Sequence, residues 1–347
     1  MAFHLGIARL MCQSNRLRIL VALLAWLVAT VPVAASDAQW PKSWISKGLV
    51  AHPLAGKIFA SRANKFIEPK AYLQSLVRPR FVLLGEVHDN PDHHVLQGLA
   101  IRSLAGGQQT VIFEHFQTNQ QSLIDAFQAG LEIKSTDDPI ARLFLVTGWQ
   151  ASGWPDQKIF RPLVRAVFDR RARIVAGNPP RGRAREVARG GLAALSEDAQ
   201  RSLLLNTPLG AELQDDLLGV LEASHCGLMP KSAFGNMAVA QRFRDGHMAR
   251  AMADAAVNRE GPVVLVAGNG HARLDLGVAW YLQKMVADAK ARPLISVGHI
   301  EVVEGKTQPA DYADALSQYS IIVFTPRKIR KDPCAEMRKR FGRHKRK

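Results

Sequence analysis

Arg80-Phe81-Val82-Leu83-Leu84-Gly85-Glu86-Val87-His88 is a short aliphatic run closed by a glycine, with a histidine three positions later. The pattern returns at Pro262-Val263-Val264-Leu265-Val266-Ala267-Gly268-Asn269-Gly270-His271. Both runs have the length and the β-branched and aliphatic content of buried strands, bounded by Gly or Pro. Each Gly-x-x-His string then places an imidazole just past a strand's carboxyl end, where open α/β sheets hold their ligands.

Outward from these two runs, further strands are read over 110–114, 173–177, 293–303 and 319–325. Helical patterns alternate with them: His93 to Leu104 after the first strand, Gln120 to Ala129 after the second, and Lys158 to Arg171 before the third. This alternation predicts an α/β fold whose sheet is largely parallel or mixed and covered by helices. The third and fourth strands are separated by about 80 residues, far more than an ordinary crossover needs. That stretch reads as helices over 183–194, 196–205, 210–223 and 232–258, a helical insertion of about 183–258 positioned to cap the sheet's carboxyl edge.

The chain has 347 residues and a formal charge of +16, unevenly spread. Residues 1–35 read as a signal peptide: Arg9, Arg16 and Arg18 precede the apolar run Ile19 to Val31, and Val33-Ala34-Ala35 supplies the small residues before a cut. The expected location is therefore periplasmic or secreted, with 36–326 as the α/β domain. The basic C-terminal tail, 327–347, holds 11 Lys/Arg against 2 acidic residues and is expected to be solvated. Its charge suits peripheral contact with an anionic membrane face; nucleic acid is not expected as a partner of an exported chain. Beyond the leader only Cys226 and Cys334 remain, and the sequence leaves open whether they pair or stay separate thiols. No Cys-x-x-Cys-His occurs, so any haem is held non-covalently.

Four strand ends offer Glu86 with His88, Glu114, Asn178 and His271 to one edge. Two imidazoles and two carboxylates suit either of two chemistries. His88, His271, Glu86 and Glu114 have the ligand types for a divalent metal ion that would acidify a bound water. Without metal, the same four residues are candidate catalytic acids and bases of a hydrolase. Asp92 is placed to cap the helix near His93, and of His93 and His94 one is expected to face the site and the other solvent. Gln241 and Asp245 share a face of the long helix, which reaches the site only if that face closes over the sheet edge. Trp149 and Trp154 read mainly as core packing, with walling of a flat aromatic ligand as the other role open to them.

At these residues the chain resembles the ChaN-like haem-binding family, grouped with Tiki metalloproteases, TraB proteins and erythromycin esterases. The resemblance rests on Leu83-Leu84-Gly85-Glu86-Val87-His88-Asp89-Asn90-Pro91-Asp92-His93-His94, Val111-Ile112-Phe113-Glu114 and Ser152-Gly153-Trp154-Pro155. It continues through His225-Cys226-Gly227-Leu228-Met229-Pro230, Ala240-Gln241-Arg242-Phe243-Arg244-Asp245 and Gly268-Asn269-Gly270-His271-Ala272-Arg273. It implies an exported haem-binding protein in haem or iron acquisition, often a homodimer, partnered by haem or a haem-delivery protein. Glu86, His88, His93, Trp154 and His271 are then the expected haem-binding residues. The metalloprotease relatives imply metal or catalytic roles for His88 and His271 beside Glu86 and Glu114. In the family a tyrosine is implicated as iron ligand; Tyr72, Tyr281, Tyr312 and Tyr319 are available, and none matches by position. Family members are commonly lipoproteins, and this chain departs there, because Cys12 precedes the apolar stretch.

Overall fold

Eight strands form one mixed sheet: β1 (Ile58–Ala60), β2 (Lys65–Ile67), β3 (Phe81–Glu86), β4 (Thr110–Gln117), β5 (Arg173–Asn178), β6 (Val263–Gly268), β7 (Leu294–Glu301) and β8 (Ile321–Thr325). Their order is β2-β1-β8-β7-β3-β6-β4-β5; β1 pairs antiparallel with both neighbours, and every other pairing is parallel. The computed structural model describes residues 39–105, 108–130, 138–258, 261–286 and 293–344, all within one unit, Ala35–Lys347. The leader expected over 1–35 lies outside the described residues.

The two runs that decide the fold lie side by side at the sheet's centre, Phe81 opposite Val263 through to Glu86 opposite Gly268. Alternate residues of each serve separate cores. Val82, Leu84, Val264 and Val266 enter one, beneath helices Pro91–Ser103 and Gln157–Asp169. Phe81, Leu83, Val263 and Leu265 enter the other, beneath helices Lys231–Asn258 and Val278–Met285. Burial on both faces explains why these strands read as unbroken apolar runs.

From β3 the chain crosses toward β4 on one side of the sheet, and from β6 it crosses back over β3 to β7 on the other. Adjacent strands whose connections leave in opposite directions open a crevice at their carboxyl ends. The fold thus places the two Gly-x-x-His strings at the switch point.

The expected helical insertion lies between β5 and β6, as helices Arg181–Gly190, Glu197–Ser202, Ala211–Ser224 and Lys231–Asn258. The first pair of strands, three residues each, went unread because neither is long enough to show a period. The segment expected to be a solvated tail is anchored. Gly48 and Arg327 form an antiparallel bridge, Arg330 is paired with Asp89 and Glu301, and helix Pro333–His344 is tied to the insertion by a Cys226–Cys334 disulfide. Among the described residues no helix is long and apolar enough to cross a membrane.

Candidate functional site

Glu86, the last residue of β3, is buried, hydrogen-bonded to three side chains and close to a fourth. Its Oε1 lies 2.8 Å from His88 Nδ1 and 2.9 Å from His115 Nε2. Its Oε2 lies 2.8 Å from Gln97 Nε2 and 3.4 Å from His94 Nδ1. Burial alone would raise the carboxyl's pKa, but the imidazoles of His94, His115 and His88 outweigh it and hold Glu86 well below the ordinary range. The opposite holds for His115, which burial keeps low and neutral.

Glu114 is the hub on the sheet's other face. Its Oε2 accepts the backbone N–H of Gly268 at 2.7 Å, and its Oε1 is paired with Arg244 and lies 3.4 Å from His271 Nε2. His271 Nδ1 meets Asp245 Oδ1 at 2.6 Å. Desolvation would lower His271, yet Glu114 and Asp245 overcome it and push the imidazole up to about 9. Glu114 in turn is held well below the carboxylate range, against burial, by His271, His88 and Arg244. The face of the long helix bearing Gln241 and Asp245 does close over the sheet edge.

His88 joins the two halves. It sits on the rim between the faces, with Nδ1 on Glu86 and Nε2 3.9 Å from Glu114, its side chain one-third exposed. Burial pulls its pKa down, and the two carboxylates raise it further than burial lowers it. The imidazoles of His88 and His271, 183 positions apart in sequence, therefore share one carboxylate as neighbours.

The two glycines that open the motifs make this possible, each for the other's benefit. A Cβ on Gly268 would stand 2.9 Å from His88 Nε2, and one on Gly85 would collide with the Asn269 side chain and stand 3.1 Å from the Val297 carbonyl oxygen. Gly85→Ala is expected to cost about 1–3 kcal/mol, because a backbone oxygen cannot step aside. Gly268→Ala should cost less and mainly displace the partly exposed His88 ring. Thermal unfolding of both variants, with the His88 resonance followed by NMR, checks the order; equal stability of Gly85→Ala and wild type would contradict it.

Not every residue expected at the site reaches it. His93 is buried with both ring nitrogens committed: Nδ1 accepts the Val87 N–H at 2.8 Å, and Nε2 lies 2.8 Å from Thr325 Oγ1. Neither it nor His94 faces solvent; His94 lies against Glu86 and the His88 carbonyl. Asn90 caps the helix, which begins at Pro91, while Asp92 instead accepts the N–H groups of Ile45 and Ser46 at 2.8 Å each. His115, Arg244 and Gln97 were not singled out from sequence. The overlooked signal was the Glu114-His115 pair: strand alternation sends neighbours to opposite faces, and a site straddling the sheet edge draws on both.

Trp154 packs 4.8 Å from the His88 ring and 4.7 Å from the His115 ring, with its indole N–H donating to the His115 carbonyl at 3.0 Å. Trp149 is core, set between Phe144 and Phe160. Beyond Trp154 lies a cavity of about 410 Å³, within the usual range for small-molecule sites. Trp154, Leu221 and Met237 contribute apolar wall, and Arg181, Arg185 and Arg244 contribute cationic groups. Glu86, His88 and His271 stand behind this lining rather than in it.

Chemically, Glu86, Glu114 and Asp245 face the Arg244 guanidinium and the two imidazoles of raised pKa, and burial raises Asp245 itself. His88 is within hydrogen-bond reach of Glu86 and stands 3.9 Å from Glu114, an ion-pair distance, so the Glu86–His88 pair is the one placed for acid–base work. The ligand atoms of Glu86, His88 and His115 lie within 4.8 Å of one another and form the metal-type cluster among the described residues. A cation there would have to displace the proton between Glu86 and His88.

Comparison with known proteins fits this architecture. Residues 72–282 match the family model described as haem-binding uptake, Tiki superfamily, ChaN. Among solved structures, ChaN of Campylobacter jejuni, described as binding haem cofacially, superposes with a TM-score of 0.56 at 21% identity, covering 77% of this chain and 95% of that one. An erythromycin esterase variant in its open conformation gives 0.42 at 11% identity, over 81% of this chain and 99% of that one. No curated protein sequence matches. With 72–282 spanning well over half of its length, the chain belongs to the ChaN haem-binding uptake family of the Tiki superfamily.

Proposed function

We propose that the protein is an exported haem-binding protein serving haem or iron acquisition, with haem as its cargo. The observation that carries this reading is the cavity beyond Trp154. A flat, largely apolar ring edged by two propionates calls for aromatic and aliphatic walls with guanidinium groups at hand, and the lining supplies both. Arg181, Arg185 and Arg244 would take the propionates, and Trp154, Leu221 and Met237 would pack the ring. Membership of the family supports the same ligand. Export draws support from the leader pattern in 1–35 and from a disulfide of the kind oxidising compartments permit. A haem-delivery partner and homodimerisation belong to this reading.

Titration of the purified protein with hemin is expected to give a saturable shift of the Soret band. Unsaturable, detergent-like spectra would refute the proposal.

A second reading is favoured by the proton network itself, which is more elaborate than haem carriage requires. In it Glu86, His88, Glu114 and His271 serve a hydrolase, with the hydrogen-bonded Glu86–His88 pair as its acid and base. His88→Ala and His271→Ala separate the two. Loss of hydrolysis of ester or peptide substrates with hemin binding intact would establish the enzyme; intact hemin binding in a wild type without hydrolysis would leave haem carriage alone.

A further inference from the structure

We infer that His225 is the iron ligand for haem held in this cavity, an inference that rests on the haem reading of the cavity. Three residues of its lining carry a donor suited to haem iron: His115, Met237 and His225. His115 commits Nε2 to Glu86 at 2.9 Å, and its unpartnered Nδ1 is sealed in with a side chain that has no exposure, packed between Trp149 and Trp154. Met237 offers only a weak thioether.

His225 is set up differently. Its Nδ1 lies 2.8 Å from the Leu221 carbonyl oxygen, which can only accept, so Nδ1 carries the proton and Nε2 the lone pair. Among the described residues Nε2 has no partner. An imidazole whose far nitrogen is oriented by a backbone carbonyl is the usual arrangement of a metal-binding histidine.

The tyrosines give no competing donor. Tyr72 is wholly buried, and the Tyr281, Tyr312 and Tyr319 hydroxyls are engaged by Arg242, Val303 and Asn269 at 2.9, 2.9 and 2.8 Å. Burial raises the pKa of all four, which disfavours a phenolate, and none lines the cavity.

The backbone around His225 is also fixed. It closes helix Ala211–Ser224, and the chain then turns through two left-handed residues, Cys226 (φ 57°) and Gly227 (φ 63°). A left-handed conformation suits glycine and is costly for cysteine. The bond from Cys226 to Cys334 explains a cysteine there, and it fastens the turn that bears His225 to helix Pro333–His344.

The test is a hemin titration of the disulfide-intact protein, read by absorption and by electron paramagnetic resonance of the ferric state. Wild type should show an imidazole-ligated spectrum. In His225→Ala and His225→Gln that signature should be lost and should return on adding free imidazole, while circular dichroism stays unchanged. An identical spectrum in wild type and both variants, or loss in Met237→Ala instead, would overturn the assignment and leave the haem reading standing. Absence of any saturable spectrum in wild type would remove the haem reading, and this inference with it.

Discussion

Replacing Glu114 with alanine is expected to destabilise the protein by about 3–5 kcal/mol, the usual cost of leaving a buried ionic network without one of its partners. Among the described residues Glu114 is the only carboxylate shared by both motifs: it pairs with Arg244, lies between His88 and His271, and accepts the Gly268 N–H. Its removal takes the charge partner from Arg244 and the acceptor from the Gly268 N–H. It also leaves His88 with the carboxylate of Glu86 alone and His271 with that of Asp245 alone at the sheet's carboxyl edge. Denaturant unfolding measures the loss. Glu114→Gln separates charge from hydrogen bonding, since the amide can still accept from Gly268 but cannot balance Arg244 or His271. If Glu114→Ala unfolds within 1 kcal/mol of wild type, roughly the effect of a surface change, the network does not hold the sheet edge.

Stability is also expected to fall on the alkaline side. His271 has its pKa raised from 6.5 to about 9 in the folded protein. Its contribution is therefore complete below pH 6.5 and lost as the pH climbs through 9, roughly 3 kcal/mol in all by linkage. The acid limb begins with His93, His115, His247 and His299, which burial depresses below 6.5 so that their contribution fades as the pH falls from that value. It continues with Glu86 and Glu114, both depressed in the folded state. What these two carboxylates add is present above the unfolded value of 4.5 and disappears as the pH drops toward their lower folded values. Stability should thus be greatest near pH 6.5, and His271→Gln should flatten the alkaline limb. A chain equally stable at pH 6 and pH 9 would contradict the proton placement on His271.

Much of this was legible in the residues themselves. The apolar runs before Gly85 and Gly268 announced strands buried on both sides, and the long gap between 178 and 262 announced an inserted helical portion. Both followed from local pattern. What escaped reading depends on tertiary placement. Asn90 rather than Asp92 caps its helix because Asp92 is recruited by the N–H groups of Ile45 and Ser46, nearly fifty positions away. His115 was passed over because alternation turns it away from Glu114, and only the straddling of the sheet edge restores it to the site. The basic C-terminal stretch looked free because its charges were counted without their partners. Arg330 finds two of them in Asp89 and Glu301, on separate elements.

The link between positions 226 and 334 closes a loop with a sequence separation of 108, a constraint that removes roughly 4–5 kcal/mol of chain entropy from the unfolded state. Glutathione and thioredoxin in a cell's interior would leave both sulfurs as thiols. A newly made chain there would lack this brace, and the turn ending Ala211–Ser224 would be free to swing away from its pocket. Reduction of the purified protein is therefore expected to lower its unfolding midpoint, as denaturant titration with and without dithiothreitol would measure.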